Sequence, residues 1–313
     1  MVISRKKRYD LRMVKAPPTP KGFRDILPDA AKRRREVIGK IVDVLERAGF
    51  VPLDTPIIEF AETLKGKYGE EADRLIYEFE DRGGRKLALR YDLTVPLARF
   101  IASNPGLIES GKTFSRYQVG EVFRGENPQK GRWRQFTQFD IDSVGSSDLK
   151  EDAKIIAAIL SSAKASGLKN PVIAINDRTC FEGLPKEVVI ALDKLDKIGD
   201  EGVIAELESR GIQNPKEVLE QVKNKKPTKA LQEIFGYLKE LGIAENEYEF
   251  VPTLARGLDY YTGAIFELRT PSYGNLSLGG GGRYDSLIGM FAGKPIPAVG
   301  FSFGLDRLLE ATT

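Results

Sequence analysis

The chain has 313 residues, 41% of them hydrophobic and 30% charged, long enough to bury a substantial core and balanced as a soluble globular protein is. Its 48 Lys and Arg stand against 45 Asp and Glu, a net charge of only +3 that neither demands nor excludes a polyanionic partner. The single cysteine, Cys180, excludes a disulfide framework and a Cys-built metal cage, and the absence of histidine excludes imidazole acid–base catalysis, Ser-His or Cys-His nucleophile pairs and His-ligated zinc.

Chemistry in this chain must therefore run on arginines, carboxylates, tyrosines, lysines or a metal on oxygen ligands. No apolar run reaches the ~20 residues a membrane helix requires. The N-terminus MVISRKKRYDLR is basic without an apolar stretch, so it is not a signal peptide. The expectation is a cytoplasmic protein with no membrane partner. The basic arm reads as solvated, with contact to nucleic acid as the sharper alternative.

After an irregular stretch from Pro17 to Pro28, Asp29 is expected to cap a helix. Val37, Ile38, Ile41, Leu45 and Ala48 keep helical spacing along it, and Gly49 ends it. Phe50 to Phe60 is β-rich, and Pro52 and Pro56 suit an edge or interface strand. Leu75 to Phe79 and Lys86 to Arg90, joined by Asp81-Arg82-Gly83-Gly84, predict a hairpin. Leu93 to Ser103 reads as helix.

The most informative stretch runs from Tyr117 to Asp142. Two β-rich runs flank a turn of Asn127, Pro128, Gln129, Lys130 and Gly131, the pattern of a long antiparallel hairpin. Arg124 and Glu126 lie two apart and should share a face. On the returning strand Arg134, Phe136, Gln138, Asp140 and Asp142 share one face, with Trp133, Thr137, Phe139 and Ile141 on the other. Burying guanidinium, ring, amide and carboxylate on one face is costly unless something polar binds there. A nucleotide would suit it, with an Arg for phosphate, a Glu for an amino group and a ring for a base; a solvated face with one stray aromatic is the plain alternative.

Gly106 to Thr113 matches the phosphate-loop pattern G-x-x-x-x-G-K-T. That motif needs a strand before and a helix after, so that backbone N–H groups and the helix N-terminus converge on phosphate. Here the predicted order is the reverse, and the match reads as coincidence.

Asp148 to Ser166 predicts an amphipathic helix and Pro171 to Ile175 a buried strand. From Asp177 to Asn246 the composition turns Lys- and Glu-rich and helical in period, suggesting an insertion subdomain. Its patch of Lys223, Lys225, Lys226 and Lys229 reads as a solvated helix end, with nucleic-acid contact as the alternative. Arg256 to Gly263 (RGLDYYTG) leads into a strand over Ala264 to Leu268. Leu276 to Ile288 holds four consecutive glycines before Arg283-Tyr284-Asp285, either a flexible bulge or a close approach of backbone to a ligand. Ala298 to Leu309 is a strand turning into a helix. Arg307 falls in its first turn, where a cation opposes the macrodipole unless an anion lies near.

Together these segments resemble the class II aminoacyl-tRNA synthetases, and within them the histidyl-tRNA synthetase family. Phe50 to Phe60 resembles the first class motif, FRGE with GRWRQF the second, and GFSFGLDR the third. RGLDYYT and GGRYDSL resemble the two signatures that mark the histidine-specific family, and LRYDLTVP (Leu89 to Pro96) is of the kind seen in its archaeal and eukaryotic branch. The resemblance implies an α+β fold, a mostly antiparallel sheet of six or so strands flanked by helices. It divides the chain into a first catalytic part over 1–176, a helical insertion over 177–246 reaching the tRNA(His) acceptor stem, and a second catalytic part over 247–313. It further implies ATP as substrate, Mg²⁺ with no ligand named by the motifs, and a homodimer formed through the first motif.

Residue by residue, the resemblance implies that Arg124 holds the ATP α-phosphate, Glu126 the adenine amino group and Phe136 the adenine ring. Arg132 and Arg307 would grip the β,γ end. Asp92, Thr94 and Gln138 would surround the α-amino group of histidine, while Asp142, Tyr261 and Tyr284 would read its imidazole. Arg256 would lie beside the reacting carboxylate. The chain stops a few residues after the third motif, where the family continues into an anticodon-binding domain, so it reads as an excised catalytic region or as a paralogue without that domain. The rival is the histidine-sensing, non-catalytic regulatory subunit of ATP phosphoribosyltransferase, which usually departs from the family at the position of Arg256.

Overall fold

The computed structural model describes residues 17–67, 69, 73–128, 132–256, 260–274 and 276–312. The basic arm over residues 1–12, the turn residues Gln129, Lys130 and Gly131, and Gly257, Leu258 and Asp259 of the RGLDYYTG segment lie outside them.

Helix α1 (Pro28–Arg47) opens on Pro28, whose missing N–H would have no helical partner in any case. Asp29 does not cap it; it lies inside the first turn, where a carboxylate complements the macrodipole. Val37, Ile41 and Leu45 are the buried stripe, and Gly49, at φ +85°, takes the left-handed conformation just beyond the end.

Strands β1 (Val51–Pro52), β5 (Phe114–Phe123), β6 (Gln135–Val144), β7 (Val172–Asp177), β8 (Tyr248–Phe250), β9 (Ala264–Arg269), β10 (Gly279–Arg283) and β11 (Ala298–Gly304) form one sheet in the order β1-β5-β6-β11-β10-β9-β7-β8. The expected six or so strands are eight, because short parallel strands extend both edges: β1 beside β5 and β8 beside β7. The remaining pairings are antiparallel. The proline-bearing β1 sits at an edge, where its missing donor costs no ladder bond. A second sheet, β2 (Ile58–Phe60), β4 (Lys86–Leu89) and β3 (Glu78–Glu80), contains the predicted hairpin of residues 75–90.

The short helix α2 (Ala61–Leu64), then α3 (Thr94–Ser103), α4 (Lys150–Ala165), α5 (Lys186–Leu192), α6 (Leu195–Ser209), α7 (Pro215–Lys223), α8 (Lys229–Glu240), α9 (Gly289–Ala292) and α10 (Leu305–Ala311) complete the elements. One face of the large sheet, with Tyr117, Phe139, Ile141, Ile173, Phe266 and Phe303, packs under α1, α4, α8 and α10 in a single core cluster. The other core cluster gathers α3, the insertion helices α5, α6 and α7, and Tyr260, Tyr261 and Tyr284. Within the Lys- and Glu-rich segment, α8 thus joins the first cluster through Leu231, Ile234 and Leu238 while α5 to α7 join the second. Gly106 to Thr113 forms 3-10 turns between α3 and β5, with helix before and strand after, and is no phosphate loop.

Candidate active site

Strict alternation along β6 puts Phe139 and Ile141 into the helix-covered core and Gln138, Asp140 and Asp142 onto the opposite face, as the parity of the sequence requires. The alternation does not extend to Arg134 and Trp133, because β6 begins only at Gln135. Arg134 instead ties down the turn, donating to the Glu126 and Lys21 carbonyls at 3.0 and 3.3 Å. Trp133 lines the cavity under the Arg24 guanidinium, 4.6 Å from its ring centre.

Cross-strand partners share a face, so the register writes rows across the sheet. One row runs Gln118, Asp140, Ser302, Gly280, Glu267 over β5, β6, β11, β10 and β9; the next runs Arg116, Asp142, Gly300, Gly282, Ile265. The glycine run, open between bulge and close approach at the level of sequence, is a central strand of the large sheet. A methyl built on Gly300 would overlap the Asp142 carboxylate, and one on Gly280 would overlap the Arg256 guanidinium. Glycine therefore empties the floor beside β6, and a cavity of about 400 Å³ opens over it. Every residue to which the family resemblance gives a role lines this one cavity: Asp92, Thr94, Arg124, Glu126, Arg132, Phe136, Gln138, Asp142, Arg256, Tyr261, Tyr284 and Arg307.

The cavity has two electrostatic characters. Arg124 stacks between the rings of Tyr91 and Phe136, with its guanidinium carbon 4.3 and 5.0 Å from their centres, and its Nε donates to the Tyr91 carbonyl at 3.2 Å. Arg132 lies 3.5 Å from Glu126, and Arg307 donates to the Ser277 carbonyl at 3.0 Å. Burial, then the nearby charges of Arg132 and Arg124, depress the Arg307 pKa, the signature of cations crowded where an anion would be welcome.

The acidic part is built on β6. Tyr284 donates to Asp142 Oδ1 at 2.5 Å, and fully buried Arg116 places Nη2 2.7 Å from Asp142 Oδ2. Burial raises the pKa of Asp140 to about 7, against the pull of Arg116 and with the push of Asp142; burial likewise raises Asp142. Asp92 accepts the Thr94 and Val95 backbone N–H groups at 3.1 and 3.0 Å, starting α3, while lining the cavity. Arg256 pairs with Glu267 at 3.2 Å, and although burial opposes its charge, Tyr261, Glu267 and Asp193 hold its pKa above the ordinary value. Among the described residues, buried polar atoms lacking a hydrogen-bond partner include Gln138 Oε1, Asp140 Oδ1, Asp142 Oδ2 and Arg256 Nε, all on this cavity. Their common address points to a ligand that completes them.

A family model described as histidyl-tRNA synthetase matches residues 22–201 and 183–308. The chain belongs to the histidyl-tRNA synthetase family. It is 45% identical over 326 residues to the histidine--tRNA ligase of Aeropyrum pernix, covering 94% of this chain and 74% of that protein. With the same ligase of Korarchaeum cryptofilum the identity is 39%, over 93% of this chain and 74% of that one. The solved histidyl-tRNA synthetase from Nostoc sp. PCC 7120 aligns at a TM-score of 0.80 and 31% identity, over 94% of this chain and 74% of that chain.

In this family member several residues in or behind the cavity wall carry no signal in the sequence. Arg116 looks like any strand arginine until the register sets it opposite Asp142. Glu267 carries no motif of its own, while Tyr91 and Tyr260 stand inside LRYDLTVP and RGLDYYTG with nothing to mark them apart from their neighbours. The lysine patch of the insertion is satisfied internally in part, as Lys223 pairs with Asp200 and Lys225 reaches the Cys180 carbonyl, and on helix α1 Arg34 pairs with Asp306 at 2.8 Å.

Proposed function

We propose that this chain activates histidine with ATP to histidyl-adenylate and passes it to tRNA(His). The observation that carries the reading is the union, in one cavity, of Arg124, Arg132, Arg256 and Arg307 with a buried carboxylate row on β6. The histidine carboxylate attacks the α-phosphorus, an O–P bond forms, and the bond to the bridging oxygen of pyrophosphate breaks. Two anions must meet while charge spreads over phosphoryl oxygens, so fixed cations carry the rate and no proton shuttle is needed. Always-charged, planar guanidinium groups meet that need, which makes the lack of histidine side chains inconsequential.

In this reading Arg124 takes the α-phosphate, Arg132 and Arg307 the β,γ end, and Phe136 and Glu126 the adenine. Asp92, Thr94, Gln138, Asp142, Tyr261 and Tyr284 surround the amino acid. The described residues hold no cluster of three acidic side chains able to cage a metal, so Mg²⁺ would arrive on the triphosphate, for which one or two carboxylates and the phosphates suffice. The insertion over 177–246 is assigned to the acceptor stem. A homodimer suits the exposed apolar residues Val51, Ile58, Phe60 and Phe79 on β1 to β3. A cytoplasmic location agrees with the lack, among the described residues, of any helix long and apolar enough to cross a membrane.

The test is ATP–pyrophosphate exchange with and without histidine. Exchange that needs histidine is expected. Histidine binding without exchange would favour the sensor reading, against which stand the complete arginine set and the ligase relatives at 45 and 39% identity.

A further inference from the structure

Arg256 is held by a carboxylate that it has to share. Among the described residues its guanidinium makes one hydrogen bond, from Nη1 to Glu267 Oε2 at 3.2 Å, while its buried Nε has no partner. Glu267 gives its other oxygen to Arg269, whose Nε donates to Oε1 at 2.7 Å. Glu267 and Arg269 lie two apart on β9 and so share a face. The cross-strand neighbours of Glu267, Gly280 and Ala174, bring no polar side chain to it.

Arg269 has a second donor on the same side of its guanidinium. Nε and Nη2 form the planar fork that can close on both oxygens of one carboxylate. Here the fork is split. Nη2 donates instead to Asp196 Oδ2 at 2.8 Å, in the first turn of α6 within the Lys- and Glu-rich insertion. With Nη2 occupied there, Arg269 takes one oxygen of Glu267 and leaves the other to Arg256. Asp193, three residues before Asp196, lines the cavity, and its charge reaches Arg256 as well. Helix α6 is broken at Gly199, where φ is +67°, so the turn bearing Asp196 is set apart from the rest of that helix.

We propose that Glu267 is the positioning residue of Arg256, and that the insertion, through Asp196, keeps Glu267 available to it by occupying the second donor of Arg269. The insertion thereby takes part in amino-acid activation before any RNA is bound. The proposal rests on the histidine-activation reading above. Without the Asp196 carboxylate the fork can close on Glu267 and draw Oε2 away from Arg256. The Asp196 side chain is 45% exposed, and an ion pair so open to water adds little stability, so its loss should show in rate and not in folding.

The experiment measures ATP–pyrophosphate exchange by the full chain without tRNA. Glu267→Gln keeps the shape and removes the charge. Since a misplacement of about 1 Å costs some 10²-fold, kcat should fall about 10²-fold with both KM values within about threefold of wild type. Asp196→Ala should lower kcat roughly tenfold, with both KM values and the melting temperature held. In a chain already carrying Arg269→Met the fork is gone, and Asp196→Ala should then cost nothing further. Asp200→Ala is the control: it breaks a pair with Lys223 beyond the break at Gly199, and kcat should hold. An Asp196→Ala kcat within twofold of wild type overturns the proposal. So does an equal loss in the Arg269→Met background or with Asp200→Ala, which marks a general loosening of the insertion. A Glu267→Gln kcat within threefold of wild type, or a loss spread over kcat and both KM values, overturns it too. Should Glu267→Gln not fold, the Asp196 series still decides. Wild-type exchange that ignores histidine would sink the activation reading itself, an outcome none of these variants can produce.

Discussion

Gly280→Ala separates folding from activity in this site. Gly280 has no left-handed backbone requirement, and the three atoms nearest to its new methyl all belong to the Arg256 guanidinium. That group is the far end of a flexible side chain, so the fold can yield at a cost of roughly 1 kcal/mol or less. The guanidinium cannot stay where it is. Restoring an ordinary carbon contact of about 3.5–4.0 Å displaces it by roughly 1.5–2 Å. A misplacement of about 1 Å already costs some 10²-fold in rate, and full loss of a charge-stabilising donor about 10²–10³-fold. Histidine-dependent ATP–pyrophosphate exchange should therefore fall about 10²–10³-fold while the melting temperature stays within a few degrees of wild type. The neighbouring Gly281→Ala is the contrast, since its methyl would meet the Gly300 backbone oxygen, which cannot swing aside. Gly281→Ala should lose about 1–3 kcal/mol of stability by urea unfolding. Exchange by a folded Gly280→Ala within threefold of wild type would refute the placement of Arg256 in the chemistry.

Phe136→Ala should raise KM for ATP by about 10–100-fold, the worth of one stacked base, with histidine KM little changed; equal effects on both would argue against an adenine platform. Arg116→Met leaves the buried Asp142 charge without its partner and should cost about 3–5 kcal/mol in chemical denaturation. Asp152→Ala should cost a similar amount, because it strands the buried Arg283 guanidinium with which it pairs. The Asp140 carboxyl, raised from 3.8 to about 7 by burial, holds its proton more tightly folded than unfolded. Its contribution to stability is thus present at acid pH and lost as pH rises through that window. Asp140→Asn should accordingly gain melting temperature relative to wild type more at pH 8 than at pH 5, and an equal shift at both would contradict the raised value.

The hairpin and its two faces were legible because a period of two with aromatic and aliphatic residues on one side survives any tertiary context. Helix α1 was legible from its apolar stripe, although its first turn was misjudged: Asp29 looks like a cap, but Pro28 before it already has the geometry of a first helical residue. The strand of four glycines was not legible, since glycine carries neither β-propensity nor periodicity. Only its neighbours, the Arg256 guanidinium above and the Phe301 ring below, show what its missing side chains are for. Arg116 and Glu267 were hidden for a related reason. Their meaning lies in the exact register between paired strands, which no local pattern encodes. The site residues named from motifs could be gathered without the fold, but not the order in which the sheet ranks them.

The strand order also constrains how the molecule comes into being. The hairpin β5-β6 and the pair β9-β7 are both made before β10 and β11, yet these late arrivals occupy the middle of the finished sheet. Until residue 304 has left the ribosome, two half-sheets must wait with their inner borders bare, each a template for pairing with the wrong neighbour. The floor of the cavity is thus the last part of the large sheet to be laid, and a nascent chain stalled inside the insertion would lack it and be prone to cling to its own kind.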